Sequence, residues 1–248
     1  MNVKFRMPKL FGNQKFQGTF KELTLSIVGT TISILLTFGT AAVLEHRQQE
    51  KNRRMIALMV ISDIYDFEGM LRGINDGDFA NWQRDIKELQ TLSQDSILRL
   101  TKEQRDKYWT AISTPMSFSR DKTAQNLFSS DMSTWRDVRN LRFIKLVGQT
   151  YSEIDDIEKN VKVKMDEKSS NNNLFMVKYD TENMSGGEQM VAYLEMKEVQ
   201  RFMLDFCYGF RPYLQNYADR LHNSVNECME IMGISQEELD DFIINNSK

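Results

Sequence analysis

Apolar and polar positions divide the chain into one unbroken apolar run and a long series of amphipathic stripes. The run LTLSIVGTTISILLTFGTAAVL, residues 23–44, holds 22 residues without Asp, Glu, Lys, Arg or His. As a helix it would cover about 33 Å, slightly more than the ~30 Å hydrocarbon core of a bilayer. Lys21 and Glu22 border it on one side and EHRQQEKNRR on the other. A buried helix of a soluble domain is rarely apolar all round at this length, so the pattern predicts a retained transmembrane helix. Two rivals stay open. One is a cleaved export signal, whose apolar region normally has ~7–15 residues and for which Gly39-Thr40-Ala41 offers a cleavage site. The other is the core helix of a soluble domain.

Beyond residue 44 the pattern changes to helical stripes. HRQQEKNRR contains neither Gly nor Pro, and Met55, Leu58, Ile61, Tyr65, Leu71 and Ile74 follow at helical spacing. A stalk over 45–54 should therefore run into the first domain helix and end at Asn75-Asp76-Gly77-Asp78. Trp82, Ile86 and Leu89 predict a helix over 79–92, TKEQ opens one over 101–112 with a capping box, and a Ser/Thr-rich tract holds a short one over 122–128. Two long stripes follow. The first runs from Trp135 to Met165 and should end at DEKSSNNN, with a short extended piece LFMVKY after it. The second runs from Val199 to Met232, and Gly209 and Pro212 should kink or split it. Residues 235–244 close with an amphipathic turn or two. The expected fold is all-α: a basic tail (1–22), one transmembrane helix (23–44), a stalk, and an antiparallel helical bundle over 55–248 with coiled-coil-like pairing of stripes.

Composition sharpens this picture. Only 3 prolines and 12 glycines interrupt 248 residues, which favours long helices over turn-rich β architectures. Residues 1–22 carry net +4, whereas residues 45–248 carry net −7. Nucleic-acid binding would ask for the reverse balance in the large domain. Lys4, Arg6, Lys9, Lys15 and Lys21 alternate with Phe5, Phe11, Phe16 and Phe20, a combination that suits contact with a membrane surface; a plain solvated basic flank explains it nearly as well. Five basic residues before the span stand against four in 45–54, favouring a cytoplasmic N-terminus and an external domain by a thin margin. Within the span Gly29, Ser33, Thr37 and Ala41 recur every four residues, a small-residue stripe that lets two helices approach closely. Small residues are also common in spans generally, so self-association is one of two readings.

Candidate chemistry is sparse. MSGGEQ, residues 184–189, looks like the nucleotide-binding LSGGQ signature, yet no glycine in the chain is followed by lysine, so a P-loop is missing. Helix entry explains the same residues: Ser185 as cap, Glu188 as the other half of a capping box, and glycines loosening the start. His46 sits at the membrane boundary, and His222 does not share a helix face with Glu227 and Cys228. Glu153, Asp155, Asp156 and Glu158 lack the turn glycine of a calcium loop and read as a solvated helix face. Cys207 and Cys228 are expected as free, buried thiols. No catalytic residue, cofactor site or metal site is expected.

In FKELTLSIVGTTISILLTFGTAAVLEHRQQEKNRRMIALMVISDI and in SSDMSTWRDVRNLRFIKLVGQTYSEI, the chain resembles bacterial single-span, membrane-anchored helical proteins of unknown function. The resemblance is architectural and covers about half the chain. It implies a bacterial inner-membrane setting and carries over no functional residue. Together these readings lead to the expectation of a non-catalytic interaction or scaffold protein that contacts the lipid bilayer, an unidentified protein partner and other copies of itself. A single-span sensor with a ligand held between helices is the alternative, and an enzyme comes third.

Overall fold

The computed structural model describes the backbone of residues 14–130 and 138–246, and side chains from residue 43 onward within those ranges. It divides into two compact units, Met1–Asn52 and Arg53–Lys248. Ten α-helices, one 3-10 turn and one π-turn make up the described residues, which contain no strand. An all-α bundle is therefore what the stripes produce. Within the run 23–44, read as transmembrane, only Val43 and Leu44 have described side chains, although the backbone throughout belongs to helix α1 (Gln14–Asp76). Among the described residues no helix is long and apolar enough to cross a membrane.

Within the larger unit, α1 ends at Asp76, where Gly77 opens α2 (Asp78–Thr91). The short α3 (Gln94–Leu98) was not anticipated; Ser93 caps it. The expected capping box appears in α4 (Lys102–Ile112), where Thr101 and Gln104 exchange hydrogen bonds. A strap without regular structure over 113–122 leads to α5 (Thr123–Ser130). The 38-residue α6 (Leu141–Lys178) is followed by a 3-10 turn, α7 (Gly186–Leu194) and α8 (Lys197–Asp205). A π-turn (Phe206–Phe210), α9 (Arg211–Met232) and α10 (Gln236–Asn246) complete the chain.

Strand-free packing is organised around α9. Arg142, Glu153 and Asn160 on α6 meet Glu227, Arg220 and Tyr213 in that order, so α6 and α9 run antiparallel. Glu68, Arg72 and Asn75 on α1 meet His222, Asp219 and Gln215, so α1 also runs antiparallel to α9. Buried Leu71, Val147, Ile154, Leu214, Leu221 and Val225 lie on the inward stripes of these three helices. At the other end, Phe79, Trp82, Phe202, Phe206 and Phe210 form one aromatic cluster. Trp109, Phe175 and Tyr193 form a second. Stacked, tilted and edge-on rings at these spacings add attraction beyond area burial.

Three expectations about the long helices need correction. The first long helix begins at Leu141 rather than near Trp135, because Arg139 adopts a left-handed φ of 52° and Asn140 caps the Phe143 N–H; residues 131–137 lie outside the described residues. DEKSSNNN does not end that helix, which continues to Lys178. LFMVKY is consequently helical up to its final residue and not extended. The physical reason lies in Lys168 and Asn171, which are buried and carry the inward stripe from Met165 to Phe175.

Glycines in MSGGEQ have a packing role. A Cβ on Gly187 would sit 2.9 Å from the Leu98 backbone, whereas one on Gly186 would meet only the movable Arg105 side chain. Gly187→Ala should therefore cost about 1–3 kcal/mol, as overpacking against backbone does. Gly186→Ala should lie within about 0.5 kcal/mol of the wild type, like an ordinary surface change. Urea midpoints of the two variants check this directly, and equal midpoints would remove the close approach as an explanation.

Candidate functional site

Of the residues singled out by sequence, Lys4, Arg6 and Lys9 lie outside the described residues. Lys15, Lys21, Gly29, Ser33, Thr37 and Ala41 share the helical backbone of α1, and their side chains lie outside the description. The structure therefore brings none of them to a described site. Functional groups gather instead at three polar centres and one groove in the larger unit.

Lys168 is the most unusual side chain. It is fully buried on α6, and its ammonium stands 3.2 Å from the centre of the Trp82 ring. It donates to the carbonyls of Thr110 at 3.3 Å and Thr114 at 3.1 Å. Those carbonyls belong to the end of α4 and the start of the strap, where a helix presents unsatisfied acceptors and partial negative charge. Three donors thus meet two carbonyls and a π face. Burial pushes the ammonium down to about 7. No sequence motif surrounds Lys168; only its place in the apolar rhythm of α6 could have revealed it.

Arg120 forms the second centre. Its side chain is 5% exposed and lies within 3.6 Å of Asp63 on α1 and within 3.4 Å of Glu158 on α6. Asp155 is 3.5 Å away, Gln125 accepts from the same guanidinium, and the rings of Phe67 and Tyr151 flank its plane. Lys122 adds bonds to Asp155 at 2.9 Å and Glu158 at 2.6 Å. In the acidic cluster 153–158, Asp156 is exposed as the solvated-face reading expects, but the other three carboxylates are half-buried and paired. Asp155 and Glu158 anchor the strap, and Glu153 pairs with Arg220. Among the described residues, Asp63 Oδ2, Arg120 Nε and the Tyr151 hydroxyl are buried without a hydrogen bond. Burial raises the Asp63 carboxyl above its ordinary range in spite of Tyr151 and Arg120 beside it, and burial likewise raises the Tyr151 phenol.

A third centre follows the seam between α1 and α9. In the π-turn, Arg211 N–H bonds to the Phe206 carbonyl, and Pro212 has no N–H to offer the Cys207 carbonyl. That carbonyl accepts from Gln83 Nε2 at 2.6 Å. The other end of Gln83 accepts from Arg211, whose Nε donates to Asn75 Oδ1 at 3.3 Å. Asn75 in turn donates to Gln215 at 3.1 Å. Further along, Arg72 ties Glu68 to Asp219, and His222 Nδ1 stands 3.5 Å from Glu68. No local pattern marks Glu68 as the neighbour of His222, since the two are 154 positions apart along the chain.

An open groove of about 550 Å³ lies between α6 and α8, lined by Lys164, Glu167, Lys197, Gln200, Arg201, Leu204 and Asp205. Lys164 donates to both Glu167 and Asp205 at 2.6 Å. Burial works against its charge, yet these two carboxylates hold it above the usual lysine range. Cys207 and Cys228 are free and buried as expected; burial raises both thiols, Cys228 to about 12, which keeps them in the unreactive protonated form. Among the described residues no group of three or more His, Cys, Asp or Glu is placed to hold a metal ion.

The Ser185–Glu188 capping box of α7 is formed as expected, Glu188 N–H to Ser185 Oγ at 3.3 Å and Ser185 N–H to Glu188 Oε2 at 2.7 Å. MSGGEQ is thus a helix entry in close packing. No protein-family model, curated protein or solved structure matches the chain.

Proposed function

We propose that this chain is a membrane-anchored, non-catalytic interaction protein of the bacterial inner membrane. Its helical domain, 55–248, presents surfaces to a protein partner and to other copies of the chain. The observation that carries this reading is the charge-free run of 22 residues within the helical backbone of α1. Roughly 20 apolar residues suffice for a helix to cross a bilayer. Support also comes from how the larger unit uses its buried ionisable groups. Lys168, Arg120 and Arg211 each hold two or three elements together, so their charges serve the architecture. The distribution of lysine and arginine around the run favours an N-terminus in the cytoplasm and the domain outside it.

Topology is the first test. With a C-terminal tag, the full-length chain should sediment with membranes, and protease added to intact spheroplasts should digest the domain. A membrane-bound but protected domain would reverse the orientation. A soluble, shortened product would make 23–44 a cleaved signal and remove the anchor. The open α6–α8 groove favours one second reading, a single-span sensor that holds a small polar ligand. Ligand-dependent rises in melting temperature across a panel of amino acids and organic acids would select that reading over the first.

A further inference from the structure

The strap over 113–122 lies on the larger unit as a bound peptide lies in a groove. Met116 and Phe118 are half-buried and the Arg120 side chain is 5% exposed, whereas Ser117 and Ser119 between them face solvent. That is the alternation of an extended chain, which turns every second side chain inward. Met116 and Phe118 pack against the core, Phe118 edge-on to Phe67. Arg120 enters a socket between α1 and α6, with the rings of Phe67 and Tyr151 at 5.6 and 5.8 Å and the carboxylates of Asp63, Asp155 and Glu158 around it. Aromatic faces combined with carboxylates are the chemistry that recognises a guanidinium.

The middle of the strap is held by side chains alone. Among the described residues no backbone–backbone hydrogen bond involves 115–120. Its fixed points lie at the two ends: the Thr114 carbonyl accepts from Lys168 at 3.1 Å, and Lys122 meets Asp155 at 2.9 Å and Glu158 at 2.6 Å. Arg120 stands 3.4 to 3.6 Å from its three carboxylates, beyond the ~2.7–2.9 Å of a charge-assisted hydrogen bond. Among the described residues its Nε and Asp63 Oδ2 make no hydrogen bond. The socket therefore has bonding capacity that its own occupant leaves unused, under a segment of low local stability.

We infer that residues 115–120 are an internal stand-in for a segment of a partner protein. They swing out between the two fixed ends, and the socket then takes an extended partner segment that carries an arginine two residues after an aromatic ring. This rests on the interaction-protein reading and says where that partner docks. Strap and partner compete for one socket, so the affinity observed for the partner is lowered by the fraction of chains whose strap is seated. Anything that loosens the strap while sparing the socket raises that affinity.

The probe is a fluorescein-labelled peptide with the strap's own sequence, residues 114–122, titrated against the full chain in detergent and followed by anisotropy. Phe118→Ala and Arg120→Lys each weaken the strap's seat by a different contact, and both chains should bind the peptide at least tenfold more tightly than the wild type. Either one suffices if the other fails to fold. A peptide carrying Arg120→Lys should lose at least tenfold on every chain, because an ammonium lacks the planar fork; this change leaves the protein untouched. Equal affinities for the wild type and the loosened chains, no saturable binding by any of them, or indifference to Arg120→Lys in the peptide overturns the proposal. If that happens while the chain sediments with membranes, the anchored reading survives without this socket. A chain that binds the peptide as expected and is found free of the membrane keeps the socket and loses the anchor.

Discussion

Arg120→Ala should destabilise the larger unit by about 3–5 kcal/mol, the loss that follows when one partner of a buried charge group is removed. The guanidinium is 5% exposed and stands between Asp63, 19% exposed, and Glu158, 14% exposed. Without it those carboxylates face each other from α1 and α6, and Lys122 reaches only the α6 side. The strap would lose its hold on Phe67, against which Phe118 packs edge-on at 6.0 Å. Arg120→Lys should recover only part of the stability, since one ammonium cannot address three carboxylates from a planar fork. The deficit should also shrink on acidification. Burial already raises the Asp63 carboxyl, and a carboxyl raised in the folded state costs stability above its folded pKa and is relieved below it. Urea titrations of the full chain in detergent at pH 7 and pH 5 measure both effects. A loss under 1 kcal/mol at pH 7 would mean that water, and not protein, supports the cluster.

Lys168→Met should change the pH dependence of stability on the alkaline side of neutrality. An unfolded lysine titrates near 10.4, whereas the buried one is lowered to about 7. Below pH 7 both states carry the proton. Between pH 7 and about 10 the unfolded state binds a proton that the folded state has released, so this group makes stability rise with pH, by up to about 1.4 kcal/mol per unit. The wild type should therefore gain about 3 kcal/mol relative to the methionine variant between pH 7 and 9.5. All other titrating groups are common to both chains and cancel in the difference. Parallel pH profiles would show that the Thr110 and Thr114 carbonyls and the Trp82 ring keep Lys168 charged inside the fold.

How far the fold could be read from sequence depended on whether chemistry and position agreed. Ser185 with Glu188 and Thr101 with Gln104 announced helix starts because a capping box is local, and both formed. Asn75-Asp76-Gly77-Asp78 marked the end of α1 for the same reason. DEKSSNNN misled because polarity ordinarily signals solvent. Here two of its polar residues, Lys168 and Asn171, point inward, and the Lys168 partners Trp82, Thr110 and Thr114 lie at least 54 positions away. The acidic run 153–158 misled in the same way: nothing near it in sequence reveals Arg120, which reaches it from the strap. Polar centres assembled from distant segments leave no local periodicity to detect. The α6–α8 groove shares that property, joining residues 164–167 to 197–205.

The π-turn at Phe206–Phe210 has a consequence for phase. Phe202, Phe206, Phe210, Leu214 and Ala218 are all buried, and they succeed one another in steps of four. In a regular α-helix each such step overshoots a turn by about 40°, so four of them would carry the buried stripe about 160° around the axis. One added residue in the wider turn takes up about 100° of that rotation. Phase is thereby restored just before α9 begins, and Leu221, Val225 and Cys228 arrive facing α1 and α6. A deletion within 206–210 would make a more regular helix and a misdirected one, with the outward side chains of α9 turned into the bundle. Regularity here is sacrificed locally so that two segments of one long stripe can share a single interior.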